Sequence, residues 1–293
     1  MRCSAGAALA LVLTACADVS VPFLPAPPAA GEPVALPFAV TRPDGPGPFP
    51  AVVILHDCSG LGPRSSGAPA RWRNELVAHG YVVVIPDSFT PRGHAGGVCT
   101  EPSATGRFKV APARRTADAY AALDYARSLP YVDGNHVGVM GGSHGGTSTL
   151  ATMAAAVSAD EPLAAAKQHG FAAAVALYPA CAYRMGAWRG NGAGVYKPVA
   201  PVLILVGEKD DWTPAEPCRQ LAAAATAAGE SVAIKVYPGA NHSFDSRNPV
   251  RYVAERVNAN APGGRGATTG GDPVAWADSI LEVEAFFGKY LKP

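Results

Sequence analysis

Six apolar runs, at 51–55, 81–85, 136–140, 172–178, 202–206 and 232–237, restrict the fold more than any other feature of the chain. Ala51-Val-Val-Ile-Leu55 and Tyr81-Val-Val-Val-Ile85 show no polar alternation. A strand apolar on both faces must be covered on both, as strands are in a parallel sheet flanked by helices. Helical patterns fill the intervals at 71–80, 112–129, 147–157 and 214–229, and another closes the chain at 273–291. This rhythm predicts an α/β fold with a mostly parallel central sheet, helices on both faces and no large cap domain. Right-handed crossovers then set the C-terminal ends of the strands along one edge. Residues 34–40 read as an added edge strand, ahead of the turn-rich Arg42-Pro-Asp-Gly-Pro-Gly-Pro. In the 112–129 helix Ala119, Leu123, Ala126 and Leu129 share an apolar face, with Arg114, Arg115 and Asp118 at polar positions. Asp272-Pro273 caps the last helix, where Trp276, Ile280, Val283, Phe287 and Leu291 recur at helical spacing as core residues.

At the end of the third run stands Gly-x-Ser-x-Gly over 141–145, followed by residues that can open a helix. A serine in a sharp strand-to-helix turn needs neighbours without side chains, which is the logic of the nucleophile elbow. Among 32 glycines the pattern is weak evidence by itself. Its weight comes from Asp210, which follows the fifth run in Gly207-Glu-Lys-Asp-Asp211, and His242, which follows the sixth. Serine, acid, histidine is the chain order of an α/β-hydrolase. A serine hydroxyl attacks a carbonyl only if a base takes its proton; neutral imidazole is that base, and a carboxylate on its other nitrogen orients it. The developing oxyanion needs two N–H donors, expected from the backbones of His144 and Cys58. Asp211 competes with Asp210 for the role of acid.

Five segments carry a family resemblance: VVILHDCSGL (52–61), GYVVVIPD (80–87), GGSHGG (141–146), PVLILVGEKD (201–210) and YPGANHSF (237–244). Over most of 34–292 the chain resembles the dienelactone hydrolase family of the α/β-hydrolase fold, as a member with serine as nucleophile. The resemblance implies Ser143 as nucleophile, Asp210 as orienting acid, His242 as base, and Cys58 and His144 as oxyanion donors. It sets Asp57 where the namesake enzyme has a glutamate that interacts with its nucleophile. The namesake has cysteine in the elbow, so its narrow lactone specificity does not transfer. Its carboxylate-holding arginines have loose counterparts in Arg92 and Arg247. Asp57, Arg92, Arg247 and Trp188 are the candidate substrate contacts, and His56 reads as a structural residue beside the oxyanion turn. The expected activity is cleavage of a carboxylic ester or lactone through an acyl-enzyme. A peptide or amide hydrolase and a non-catalytic binding lipoprotein are the alternatives.

Residues 1–16 have a short positive start, an apolar run and Leu13-Thr-Ala-Cys16, which resembles a bacterial lipobox. They are read as a signal peptide ending at a lipidated Cys16, so that the product is exported, periplasmic or outer-surface, and tied to a membrane. Residues 17–33, rich in Pro and Ala, read as a tether, and 34–293 as the catalytic domain. Four further cysteines in an oxidising compartment favour two disulfides among three pairings. Cys58 with Cys99 and Cys181 with Cys218 are favoured, because each pair falls on loops expected at the same end of the sheet. No C-x-x-C or clustered histidine suggests a metal, and no cofactor is expected. With 24 basic and 23 acidic residues, nucleic acid is not an expected partner. Residues 181–198 read as a mobile rim or a plain surface loop, and 258–272 as a Gly-rich flexible insertion.

Overall fold

The structure, a computed structural model, describes residues 19–20, 24–25, 35–101, 110–161 and 163–292. The leader, with Cys16 and its expected lipidation, lies outside the described residues. Eight strands form one sheet: β1 (Val19–Ser20), β4 (Phe38–Thr41), β6 (Val82–Pro86), β5 (Phe49–Leu55), β7 (Val132–Gly142), β8 (Ala173–Leu177), β9 (Val202–Gly207) and β10 (Val232–Tyr237), in that spatial order. From β6 to β10 every pairing is parallel, and β4 and β1 add antiparallel at one edge. In register, Val53 of β5 lies between Val84 of β6 and Val139 of β7. Two short strands, β2 (Leu24–Pro25) and β3 (Ala35–Leu36), pair with each other. The stretch 17–33, expected as a tether, thus holds two short pairings with the domain.

Alternation of Cβ atoms along each strand feeds two cores. Val53, Leu55, Val139 and Ile204 face one side, under α2 (Pro112–Ser128), α3 (His144–Met153) and α5 (Ala215–Ala227). Val52, Ile54, Met140 and Leu203 face the other, with Trp72 and Leu76 of α1 (Ala68–Ala78) and Phe287 and Leu291 of α6 (Pro273–Leu291). A short α4 (Ala164–Gln168) precedes β8. The Asp272 carboxylate accepts from the N–H groups of Val274 and Ala275, so the expected cap of α6 is present. The fully buried stripe of α6 is Ala275, Ser279, Val283, Phe287 and Leu291, a strict fourfold spacing, with Trp276 and Ile280 at its margin.

Three expectations are corrected. Residues 251–269 form a hairpin, β11 (Arg251–Val257) and β12 (Arg265–Thr269), where 258–272 was expected as a flexible insertion. Asn258 fixes its turn: buried, it donates through Nδ2 to the carbonyls of Asp211 and Gly266. Residues 181–198 are stapled rather than mobile: Cys181 is bonded to Cys218, and Trp188 and Tyr196 are buried, donating to the carbonyls of Cys181 and Leu150. Arg115 and Asp118 are fully buried, although they stand at polar positions of α2. The His56 carbonyl of the turn after β5 receives Arg115, and Arg92 of the loop after β6 bonds to Asp118, so these two polar positions face protein rather than solvent. No helix among the described residues is long and apolar enough to cross a membrane.

Candidate active site

The ends of β7, β9 and β10 converge on one edge, and each delivers one polar side chain. At the end of β7 the chain turns sharply into α3 through Ser143, whose φ of 55° and ψ of −117° lie where L-residues are strained. The approach of β5 leaves no room for side chains around this turn: a Cβ on Gly145 would meet the Leu55 carbonyl oxygen at 1.8 Å. Ser143 N–H donates to the Leu177 carbonyl (2.9 Å), which locks the turn to β8. Ser143 Oγ lies 3.0 Å from His242 Nε2, and His242 Nδ1 lies 2.8 Å from Asp210 Oδ2. An ionised carboxylate bonds only a protonated Nδ1, and in the neutral ring that leaves Nε2 as the acceptor facing the serine hydroxyl. Asp210 Oδ1 accepts from the N–H groups of Trp212 (2.9 Å) and Thr213 (2.8 Å), which fixes the acid. All three groups are withdrawn from solvent, at 7% exposure for Ser143, 4% for Asp210 and 0% for His242. Asp211 is exposed and instead accepts from Thr268 N–H on the hairpin.

The His242 ring packs between Tyr178 (4.8 Å between centroids) and Trp212 (4.7 Å). Tyr178 donates through its hydroxyl to Asp245 Oδ1, and Trp72 Nε1 donates to Oδ2. Burial pushes the Asp245 carboxyl up from its ordinary value, against the pull of those two bonds. Tyr178 and Ser243, like Ser143, have positive φ, so three strained residues surround the histidine.

The turn after β5 lies beside the serine. Asp57 is buried, and its carboxylate accepts from Ser59 N–H, Ser59 Oγ and Ser66 Oγ. His56, also buried, has Nδ1 on the Asp57 carbonyl (2.9 Å) and Nε2 receiving Ser88 N–H (3.2 Å), a pair of bonds that requires a neutral ring with its proton on Nδ1. Cys58 is bonded to Cys99, and Cys181 to Cys218, the pairings favoured from the sequence. Among the described residues no group of three or more His, Cys, Asp or Glu side chains could hold a metal ion.

A profile of the dienelactone hydrolase family matches residues 36–261. The chain belongs to the dienelactone hydrolase family. No curated protein is similar enough to count as a match. Among solved structures, a Klebsiella pneumoniae subsp. pneumoniae protein named as a dienelactone hydrolase is similar at 20% identity and a TM-score of 0.63, over 94% of this chain and 99% of its own. Esterase 2 of Thermogutta terrifontis is similar in its paraoxon-phosphorylated form (19%, TM-score 0.59) and its propionate-bound form (19%, TM-score 0.60). Each covers 89% of this chain and 92% of its own, and at these identities the likeness is one of fold.

In this member of the family two cavities meet at Ser143. One, of about 450 Å³, is mainly apolar, with Val98, Pro112, Tyr183 and Val257 in its wall. The other, of about 230 Å³, is polar and lined by Asp57, Arg64, Arg71, Arg251 and Arg256 among others. The Cys58–Cys99 disulfide and Trp212 border both. Of the candidate substrate contacts, Asp57 faces the polar cavity, whereas Arg92, Trp188 and Arg247 line neither. Arg92 is spent on the buried Asp118, with bonds of 2.8 and 2.7 Å, and on the Ser88 carbonyl. Trp188 is enclosed in the stapled 181–198 segment, and Arg247 is exposed. The arginines that do reach the cavity come from the loop before α1, from α1 and from the hairpin; those of the hairpin sit on a strand without a buried apolar face, so no sequence signal marked them.

Burial, with Arg115 nearby, holds His56 well below its ordinary value of 6.5. Because the folded value lies below the unfolded one, the stability that the neutral ring confers is present above about pH 6.5 and is lost as the pH falls below it. One proton taken up on unfolding gives a slope of about 1.4 kcal/mol per pH unit. His56→Asn is expected to flatten the fall in urea midpoint between pH 7 and 5. Equal slopes in both proteins would remove His56 as its source.

Proposed function

We propose that the protein hydrolyses a carboxylic ester or lactone through an acyl-enzyme on Ser143, with His242 as base and Asp210 as its orienting acid. The observation that carries the reading is His242 bridging Ser143 Oγ and Asp210 Oδ2 at 3.0 and 2.8 Å. In the first half-reaction Ser143 Oγ adds to the carbonyl carbon as its proton passes to His242 Nε2. The N–H groups of Cys58 and His144 take the oxyanion. Collapse of the adduct expels the alcohol oxygen, which receives the proton from Nε2. Water, deprotonated by the same nitrogen, then attacks the acyl-enzyme, releasing the acid and restoring the serine. The apolar cavity suits a hydrocarbon arm of the substrate, and membership of the family supports the ester or lactone class. The organophosphorylation of the Thermogutta esterase suggests the probe. A fluorophosphonate is expected to modify this protein at one site, mapped to Ser143 by peptide mass, and to abolish p-nitrophenyl butyrate hydrolysis in proportion. An unlabelled, folded protein that hydrolyses none of a graded panel of esters and lactones overturns the reading.

Two disulfides support residence in an oxidising compartment outside the cytoplasm.

A further inference from the structure

Arg115 lies at the start of α2 with 0% exposure, and no step of the reaction above uses it. Its Nη1 donates to the His56 carbonyl at 2.8 Å and lies 2.9 Å from His144 Nδ1. A guanidinium has donors only, so His144 Nδ1 accepts, and that ring is held neutral with its proton on Nε2. His56 stands two residues before Cys58, and His144 is the other proposed oxyanion donor. One nitrogen therefore ties the end of β5 to the start of α3, the two segments that must present their N–H groups at one point.

The rest of the guanidinium is arranged around the same place. Its carbon sits 5.1 Å from the centroid of Phe89, whose ring meets His56 edge-on at 4.4 Å and His144 at 5.5 Å. The carboxylates of Asp118, Asp57 and Asp87 favour its charged form from a distance, and Asp118 is itself bonded to both terminal nitrogens of Arg92. Among the described residues Arg115 Nε and Nη2 have no hydrogen-bond partner. Burial lowers Arg115 only to about 10, so it carries its charge at neutral pH. A buried cation that bonds to no carboxylate among the described residues is a poor source of stability. Its contacts with the two segments that carry the proposed donors give it another use, because a fixed positive charge in a dry site favours an anion forming nearby.

We infer that Arg115 is a positioning residue for the oxyanion hole, holding the Cys58 and His144 donors in register and adding buried positive charge behind them. The inference rests on the hydrolase reading. Because Arg115 does not touch substrate, its loss weakens the transition state more than the Michaelis complex.

The experiment is steady-state hydrolysis of p-nitrophenyl butyrate by Arg115→Gln and Arg115→Lys, with active sites counted by fluorophosphonate. The expected result is a fall in kcat per active site of up to about a hundredfold in Arg115→Gln, with KM within about threefold and a smaller fall in Arg115→Lys. Wild-type kcat in a variant with only a lowered Tm makes the arginine structural and overturns the inference. Wild-type protein that neither labels nor turns over ester defeats the hydrolase reading instead. If the Arg115 variants do not fold, the pair His144→Ala and His144→Asn decides. An asparagine oxygen can stand in for the accepting Nδ1, so His144→Asn is expected to retain more kcat than His144→Ala. An unchanged kcat in His144→Ala overturns the inference.

Discussion

Ser143→Ala is expected to lower kcat for p-nitrophenyl esters by about a millionfold while leaving Tm within about 2 °C of wild type. The two halves of that expectation have separate causes. The hydroxyl bonds to His242 Nε2, so its loss removes one hydrogen bond and a small volume from a folded core. The chemistry, by contrast, loses its nucleophile, and only the residual acceleration of the oxyanion donors and binding remains. Asp210→Asn is expected to cost about ten-thousandfold, since an amide can face His242 Nδ1 with its own donors and turn the imidazole to the wrong tautomer. A Ser143→Ala, His242→Ala double variant is expected to be no worse than Ser143→Ala, because the groups act as a unit. Retention of more than about a tenth of wild-type turnover by Ser143→Ala, after wild-type contamination is excluded by fluorophosphonate titration, removes Ser143 as the nucleophile.

The convergence of Ser143, Asp210 and His242 was readable because each follows a strand of the apolar series, buried for β7 and β9 and half-buried for the edge strand β10, and parallel strands joined by right-handed crossovers end on the same edge. Apolar runs such as Tyr81-Val-Val-Val-Ile85 announce burial on both faces without knowledge of their neighbours. Arg115 and Asp118 were not readable in this way. Helical periodicity assigns charged positions to solvent, and only the packing of the β5 and β6 loops over the N-terminal end of α2 encloses them. The hairpin at 251–269 was hidden for a different reason. Its first strand, β11, is largely exposed and lacks the apolar signature, and the hairpin's anchors are distant side chains: Trp212 Nε1 on the Val257 carbonyl and Asp211 on Thr268 N–H. The arginines of the polar cavity are carried partly by that hairpin. Arg92 and Arg247 have only a loose family position, and in the fold Arg92 is bonded to Asp118 while Arg247 is exposed and lines neither cavity.

Removing the Cys58–Cys99 disulfide is expected to damage the protein in two ways that the Cys181–Cys218 bond separates. The cysteines are 41 residues apart in the first pair and 37 in the second, so loop entropy assigns each bond about 4 kcal/mol, or roughly 10 °C in Tm. In stability, then, Cys58→Ser/Cys99→Ser and Cys181→Ser/Cys218→Ser should fall by similar amounts. Their sites differ. Cys58 is the proposed oxyanion donor, its disulfide borders both cavities, and the Cys99 carbonyl accepts Val257 N–H from the hairpin. Cutting that bond frees the turn after β5 and loosens the hairpin at once, so kcat should fall with Tm. Cys181–Cys218 joins the 181–198 segment to α5, and of that segment's aromatic residues Tyr183 reaches the apolar cavity. Its loss should move KM for long-chain esters more than kcat. Circular dichroism melts and ester kinetics on the two double variants, below the lower Tm, make the comparison. Wild-type kcat in Cys58→Ser/Cys99→Ser would show that the oxyanion turn is held by Asp57, Ser59 and the His56 bonds without covalent help. If both expectations hold, reduction by dithiothreitol should reproduce the first variant's loss of turnover, and the enzyme reaches full activity only where its thiols are oxidised.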